Sequence, residues 1–271
     1  MTHMERNYSA KERRTLILNE LKEFQKVTVS GLSKKFNVTE VSIRKDLQEL
    51  EDRKLLIRVK GGAVNLHAAD QYDDQMISEK VLLHQREKMR LGAFAASLVK
   101  DGESLIIDSG TTMMRVAQFL DTNLRLTIIT NALDIALSLY KKSNFQVIVL
   151  GGTMRKTSNS TVGLLSEANL KSYFADKVFI GVDSISIENG LSTPDIEEAS
   201  LNQAMLDCAK EVIAVFDSSK ANRRSFAHIA MLDKVNTMVT DNHIPDDLRD
   251  YIQRKGIKLH IVNTDDVPST T

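Results

Sequence analysis

The sequence of 271 residues has little of several residue types, with one cysteine, three prolines and no tryptophan. The single cysteine, Cys208, excludes a disulfide within the chain and suits a reducing compartment. No apolar run approaches the ~20 residues that a membrane-spanning helix needs, and the polar N-terminus lacks a signal-peptide core, so we expect a cytoplasmic protein without membrane contact. The six histidines show no metal-ligand spacing with the cysteine, and we expect neither a metal site nor a cofactor.

The formal net charge is zero, but the charges are distributed unevenly along the chain. Residues 1–65 carry 14 Lys and Arg against 9 Asp and Glu, whereas the remaining 206 residues carry 22 against 27. A basic head favours binding to a polyanion, while an acidic body favours an orientation away from it. This asymmetry makes DNA the first partner to test.

Residues 28–64 have the spacing of a helix-turn-helix followed by a hairpin. Apolar residues repeat with helical spacing, first at Val29, Leu32 and Phe36 and then at Ile43, Leu47 and Leu50. A further helix over 11–24 is predicted, with Ser9 as its N-cap. A Gly-Gly pair between two short apolar runs predicts a hairpin, and three short helices close a small core.

The second helix of a helix-turn-helix enters the major groove with its N-terminal residues nearest the base edges, and a wing lies beside it. The candidate DNA contacts are Thr39, which is also the predicted N-cap, Ser42, Arg44, Lys45 and Gln48 on the helix, and Arg58 and Lys60 on the wing. The alternative is a helical bundle with solvated charge. The turn, the wing and the basic outer face together favour DNA binding.

The length suits a small head and a larger body. We predict a winged helix-turn-helix over 1–65, a polar linker over 66–78, an α/β body over 79–263 and a disordered tail over 264–271. The body is predicted to begin with one long helix, 79–99, whose packing face includes Val81, Leu82 and Met89.

Beyond Asp101, seven short runs rich in Val, Ile and Leu alternate with amphipathic helical patterns. Near-continuous apolar strands with intervening helices predict a parallel sheet covered on both faces, which is the Rossmann-like α/β class. Ligands of such sheets bind at the carboxyl ends of the strands. We therefore expect the residues that follow each strand to be the functional ones.

Five consecutive strand ends are polar or rich in glycine, and the first opens a helix with Asp108, Ser109, Gly110, Thr111 and Thr112. Small residues and free first-turn amides suit a phosphate. The later ends carry Asn131, Gly152, Asp183, Asp217 and Lys220. Together they indicate a phosphorylated, polyhydroxylated small molecule, and the alternative is an edge of capped turns without a ligand.

The chain resembles the DeoR family of bacterial transcriptional regulators over nearly its whole length. The motifs that carry the resemblance, in the family's order, are VSIRKDLQELE, RVKGGA, IIDSGTT, ITNAL, VLGGTMR, FIGVDSIS, GLSTPDIEEA and VFDSSK. The resemblance implies a repressor of a sugar-catabolic operon that responds to a phosphorylated sugar. It also implies a homo-oligomer, a dimer or tetramer, with a body similar in fold to ribose-5-phosphate isomerase.

The resemblance places the phosphate of the effector on Ser109, Gly110, Thr111 and Thr112. It places the sugar among Asp108, Asn131, Gly152, Asp183, Glu198, Asp217 and Lys220. Two positions depart from the family pattern, since Asn202 stands where a lysine is common and Lys60 stands where a histidine is expected before the glycines. The first departure puts the identity of the ligand in question.

Two other functions compete with this interpretation. A sugar-phosphate isomerase with an accessory head could use Asp183, Glu198 and Lys220 for acid-base chemistry. Against it, no second carboxylate follows Asp183, and Asn202 cannot act as a base. A redox-sensing or nucleotide-sensing repressor is weaker, because no G-x-G-x-x-G follows the first body strand and Cys208 is expected to be buried.

Overall fold

The computed structural model describes residues 8–24, 26–53, 55–59, 61–65 and 74–265. The chain divides into two compact units, Met1–Asp73 and Asp74–Thr271, which we call the head and the body. The predicted DNA contact Lys60, most of the predicted linker (66–73) and most of the predicted tail (266–271) lie outside the described residues.

The head contains three helices and a three-stranded antiparallel sheet of order β1-β3-β2. Its elements are α1 (Ala10–Phe24), β1 (Lys26–Thr28), α2 (Val29–Phe36), α3 (Glu40–Asp52), β2 (Leu56–Val59) and β3 (Gly62–Asn65). The predicted apolar faces of α2 and α3 meet in one core, where Leu32, Ile43 and Leu47 are buried. The helix-turn-helix and the hairpin are thus confirmed, whereas β1, which pairs with β3, was not predicted.

Polar side chains set where the helices of the head begin. Ser9 and Glu12 form a reciprocal cap on α1, in which the Ser9 amide donates to Glu12 Oε2 (3.0 Å) and the Glu12 amide donates to Ser9 Oγ (3.3 Å). Thr39 caps α3, as predicted, by accepting the Ser42 amide at 3.3 Å. Asn37 ends α2 with φ of 52°, in the left-handed region that asparagine tolerates. These residues fix the tight turn between α2 and α3.

The body is built on a seven-stranded sheet of order β15-β14-β12-β9-β4-β5-β6, in which all neighbours are parallel. Its strands are β4 (Ser104–Ile107), β5 (Leu126–Thr130), β6 (Phe145–Val149), β9 (Ala175–Gly181), β12 (Ala209–Val215), β14 (Thr237–Asp241) and β15 (Lys258–Val262). All seven predicted strands are present. The chain runs outward from β4 through β5 and β6, then restarts at β9 and runs the other way, so the strand order reverses between β4 and β9.

Helices cover both faces of this sheet. The body helices are α4 (Ile77–Lys80), α5 (Gln85–Ala96), α6 (Thr111–Phe119), α7 (Leu133–Leu139), α8 (Leu164–Leu170), α9 (Ile196–Asp207) and α10 (Asp246–Arg254). Helices α5, α6 and α7 pack on one face through residues such as Leu91, Val116 and Ile135. Helices α8, α9 and α10 pack on the other through residues such as Leu170, Met205 and Leu248. The predicted doubly covered α/β architecture is confirmed.

Two small antiparallel sheets were not predicted. One is the hairpin of β7 (Thr153–Arg155) and β8 (Ser160–Val162), and the other joins β10 (Ser184–Ser186), β11 (Gly190–Thr193) and β13 (Ala227–Ala230). Their strands are three or four residues long and rich in serine and threonine. Short polar strands carry a weak hydrophobic pattern, which explains why sequence periodicity missed them.

The predicted single helix over 79–99 is wrong. Residues 81–84 form a turn that separates α4 from α5, and His84 has φ of 49°, which no α-helix interior accommodates. Val81, Leu82 and Met89, which were assigned to a packing face, are exposed, whereas Leu91 is fully buried. The break gives α4 a direction independent of α5.

The ends of the body also differ from the predicted boundaries. Asp74 and Ile77, assigned to the linker, are attached to the body through Arg155 and through a hydrogen bond from the Ile77 amide to the Thr157 carbonyl at 2.7 Å. At the other end, Thr264 is buried and its amide donates to Asn242 Oδ1 at 2.8 Å. The body therefore begins at about residue 74 and extends at least to 265.

The broken helix can be tested with two leucines. We expect Leu91→Ala to lower the free energy of unfolding of the body by about 2–5 kcal/mol, because the side chain is fully buried and its truncation leaves a cavity. The matched change Leu82→Ala, at a side chain that is 71% exposed, should cost less than about 0.5 kcal/mol. Urea unfolding followed by circular dichroism measures both, and equal losses would contradict the break between α4 and α5.

Candidate effector site and nucleic-acid interface

The carboxyl ends of β4 and β9 lie side by side where the strand order reverses, which is where open α/β sheets bind ligands. Asp108 follows β4, and its amide donates to the Phe179 carbonyl of β9 at 3.0 Å. Asp183 follows β9 after a single intervening residue. Two carboxylates predicted from separate motifs are thus brought to one place by the topology.

Asp108 is buried without a cation among the described residues that contact it. Burial raises its pKa to about 8, and the charges of Glu198 and Asp183 add to the rise against hydrogen bonds from the Ser109 and Gly181 amides. With its amide nitrogen turned toward the carboxyl, Asn202 donates to Asp108 Oδ1 at 3.3 Å and to the Glu198 carbonyl at 3.2 Å. The residue that replaces the family's common lysine therefore contacts Asp108 as a neutral donor.

Asp183, in contrast, has a strong cationic partner. Lys80 Nζ lies 2.7 Å from Asp183 Oδ1, and the Thr193 hydroxyl lies 3.0 Å from Asp183 Oδ2 and 3.2 Å from Glu198 Oε2. Burial raises the pKa of Asp183, but the charges of Lys80 and Lys220 and the hydrogen bonds outweigh it and hold the pKa at about 2. Asp183 is therefore ionised at neutral pH.

Arg155, at the end of β7, joins Glu198 to the start of the body. Its guanidinium lies 3.0 Å from Glu198 Oε1 and 3.4 Å from Asp195 Oδ2, and it also donates to Asp74. Burial raises the pKa of Glu198, with Asp183 adding to the rise and Arg155 opposing it. The first residue of the body and a predicted sugar contact are thus held by one side chain.

A second buried cation, Lys88 of α5, lies on the same side of the sheet. Its ammonium donates to the Lys80 carbonyl at 2.6 Å, and its side chain is buried. Burial lowers its pKa to about 8; the charges of Lys220, Lys80 and Arg115 also lower it, and Asp217 opposes them. Three lysines and an arginine are therefore gathered around two carboxylates, Asp183 and Asp217, which leaves an excess of positive charge.

The remaining predicted contacts lie on the turns around this cluster. Gly110 has φ of 107° and precedes α6, whose first turn receives no side-chain cap among the described residues. Asp217 is buried and accepts the Ser219 amide at 3.2 Å. Asn131, at the end of β5, donates to the Thr161 carbonyl at 3.1 Å, while its buried Oδ1 has no partner in the described chain.

Gly152 is required by packing. A Cβ atom there would lie 2.1 Å from Ser166 Oγ, and the residue has φ of 153°. It can therefore be a structural glycine whether or not it meets a ligand.

Sequence reasoning missed the cations of the site. Lys80 and Lys88 were placed on the polar face of one continuous helix, and the break at residues 81–84 is what brings them together. Arg155 stood in a quoted motif, VLGGTMR, and Thr193 in another, GLSTPDIEEA, but neither was assigned a role. A lysine eight residues after another, just before the first strand, carries no recognisable signal by itself.

The predicted DNA contacts of α3 lie on its outer surface. Arg44 and Gln48 are exposed and form intrahelical contacts, with Arg44 2.6 Å from Glu40 and Gln48 2.9 Å from Asp52. Arg58 of the wing donates to Gln48, which ties β2 to α3. Lys45 is exposed and makes no contact with the rest of the described head. Its charge is the most available on this surface.

None of the described helices is both long and apolar enough to span a membrane. Within residues 8–265, apart from the undescribed positions, no cluster of three or more metal-ligating side chains is found.

Comparisons with known proteins agree with this division of the chain. A family model described as the DeoR-like helix-turn-helix domain matches residues 13–69, and one described as the DeoR C terminal sensor domain matches residues 83–242. Relatives include a putative aga operon transcriptional repressor of Escherichia coli O157:H7, 32% identical over 93% of both chains. The HTH-type transcriptional repressor GlcR of Bacillus subtilis is also 32% identical, over 94% of this chain and 97% of its own.

Solved structures show a weaker likeness. A tetrameric eIF2B β2δ2 complex from C. thermophilum matches with a TM-score of 0.42 at 15% identity, over 80% of this chain and 81% of that one. A ribose 5-phosphate isomerase from Methanocaldococcus jannaschii matches with a TM-score of 0.36 at 17% identity, over 49% and 53%. These scores carry no inference about activity.

The two domain matches and the relatives cover both units of the chain, and all of them are transcriptional regulators rather than enzymes. The chain belongs to the DeoR family, as a DNA-binding transcriptional regulator with a C-terminal sensor domain.

Proposed function

We propose that the protein represses a carbohydrate catabolic operon and that a phosphorylated sugar, bound at the carboxyl edge of the body sheet, changes its affinity for operator DNA. The observation that carries the effector part is the buried pair Lys80 and Lys88, gathered with Lys220 at the topological switch point. The named repressors among the relatives support the regulatory part.

For DNA binding, the proposal assigns base and phosphate contacts to the exposed surface of α3 and the wing. Thr39, Ser42, Arg44, Lys45 and Gln48 are the candidates on α3, and Arg58 and Lys60 are those on the wing. Arg44 and Gln48 must exchange their intrahelical partners for DNA, which is inexpensive because exposed pairs at i,i+4 contribute only about 0.3–0.5 kcal/mol. Lys45 has no such partner to lose.

For the effector, the site offers a basic side and a polyol-binding side. Lys80, Lys88 and Lys220 supply positive charge near the first turn of α6, whose free amides suit phosphate oxygens. Asp183, Glu198 and Asn131 provide acceptors for hydroxyl groups. Asp108, Ser109, Gly110, Thr111, Thr112, Gly152 and Asp217 complete the proposed surroundings.

The regulatory step requires two states that the ligand binds with different affinity. We propose a homo-oligomer, a dimer or tetramer, that holds two heads over operator half-sites about one helical turn apart or a multiple of it. Asp74 and Lys80 follow directly on the linker, and their partners Arg155 and Asp183 belong to the proposed site. A ligand that takes over these partners would alter how the linker leaves the body.

Lys45→Ala is expected to weaken operator binding. If Lys45 contacts a phosphate, the slope of log K against log salt should fall by about one, whereas a base contact would relax sequence specificity instead. Lys210→Ala, at an exposed lysine paired with Asp176 in the body, is the matched control and should leave binding unchanged. Fluorescence anisotropy at several salt concentrations measures both, and identical isotherms for the two variants would contradict the proposed docking of α3.

Effector affinity is expected to fall as the pH rises from 7 to 9. Lys88 is charged below its pKa of about 8 and loses its proton above it, whereas a phosphate monoester stays dianionic throughout this range. The loss should approach about tenfold at the upper end. Lys88→Arg, which keeps its charge, should flatten the dependence, and Lys88→Met should weaken binding at both pH values.

Calorimetry of the full chain with a panel of sugar phosphates gives these affinities. Lys258→Met, at an exposed lysine of β15 away from the cluster, serves as the control for loss of charge. An unchanged pH dependence in Lys88→Arg would exclude Lys88 from the site.

A further inference from the structure

The charges of the proposed effector site are divided between its two sides. Lys88, Lys220 and Arg115 stand near each other on the side of α5 and α6, where positive charge is in excess. Asp108, Glu198 and Asp195 stand on the side of α9, where Arg155 is the cation that contacts Glu198 and Asp195 and also binds Asp74. A ligand with one negative charge would use only the first side.

The acidic side has more hydrogen-bond acceptors than donors. Asp108 receives backbone amides and the amide of Asn202, but no cation of the described chain contacts it. On the neighbouring strand β5, Asn131 Oδ1 is buried without any partner in the described chain, although Asn131 is 1% exposed. Burial raises the pKa of both Asp108 and Glu198, as expected where carboxylates outnumber cations. Such a surrounding favours a group that donates several hydrogen bonds and accepts none.

Resting on the proposed function, we infer that the effector is a phosphorylated amino sugar whose protonated amine binds beside Asp108, and that Asn202 determines this selectivity. An ammonium group has three donors, no acceptor and a positive charge, and it would supply what Asp108 and Asn131 lack. A lysine at position 202, on the same face of α9 as Glu198, would bring its own ammonium to Asp108 and occupy that position. The neutral amide of Asn202 leaves it to the ligand.

A hydroxyl in place of the amine would be a poorer partner. It would donate one hydrogen bond and would also bring lone pairs toward carboxylate oxygens, without neutralising any charge. An acetylated amine would lose the positive charge and add bulk. The selectivity is therefore expected to follow the charge of the nitrogen rather than its position alone.

The experiment compares matched ligands on the full chain by calorimetry at pH 7. The gluco, galacto and manno forms of 2-amino-2-deoxyhexose 6-phosphate are each set against the corresponding hexose 6-phosphate and the N-acetylated amine. We expect at least one amino compound to bind tenfold or more tightly than its hydroxyl and acetylated counterparts. Asn202→Lys should weaken the amino compound at least tenfold while the hydroxyl compound binds as well as before or better.

Two further variants separate selectivity from folding. Asn202→Gln keeps a neutral amide donor and should retain the preference for the amine, and Asp108→Asn, with a melting temperature checked beside the wild type, should abolish it. Equal binding of amino and hydroxyl compounds, or equal weakening of both by Asn202→Lys, would overturn this inference while leaving the proposed function intact. Failure of every phosphorylated compound to bind would overturn the proposed function and this inference with it.

Discussion

Burial of charge at the switch point of the sheet is the constraint on which the body depends. A charged group removed from water is costly unless a partner of opposite charge and further hydrogen bonds accompany it. Asp183 satisfies this requirement through Lys80 and Thr193, and Glu198 through Arg155 and Thr193. The elements that supply these partners, α4 and β7, therefore have to be held where they are.

This constraint explains the broken N-terminal helix of the body. A continuous helix over 79–99 would carry Val81 and Leu82 on its packing face and would fix Lys80 relative to α5. The turn at 81–84 instead lets Lys80 reach Asp183 while Lys88 donates to the carbonyl of Lys80. The exposed apolar residues of the turn are the cost of this arrangement.

Much of the fold could be predicted from local pattern. The seven parallel strands are continuous Val, Ile and Leu runs, and the helix-turn-helix has clear caps at Ser9 and Thr39, so periodicity and capping chemistry were sufficient. The site was predicted only on the strand ends, because the carboxyl edge follows from a parallel sheet. Lys80, Lys88 and Arg155 reach it from outside the strand ends through tertiary contacts, and no local signal encodes such contacts.

Arg155 gives the coupling between sensor and head a direction that can be reversed. Its guanidinium contacts Asp74, the residue with which the body begins, and Glu198, which belongs to the proposed site. Linkage between two binding events is reciprocal, so if sugar binding changes operator affinity by a given factor, operator binding changes sugar affinity by the same factor. Molecules already seated on the chromosome would then sense the metabolite with a different threshold from those free in solution.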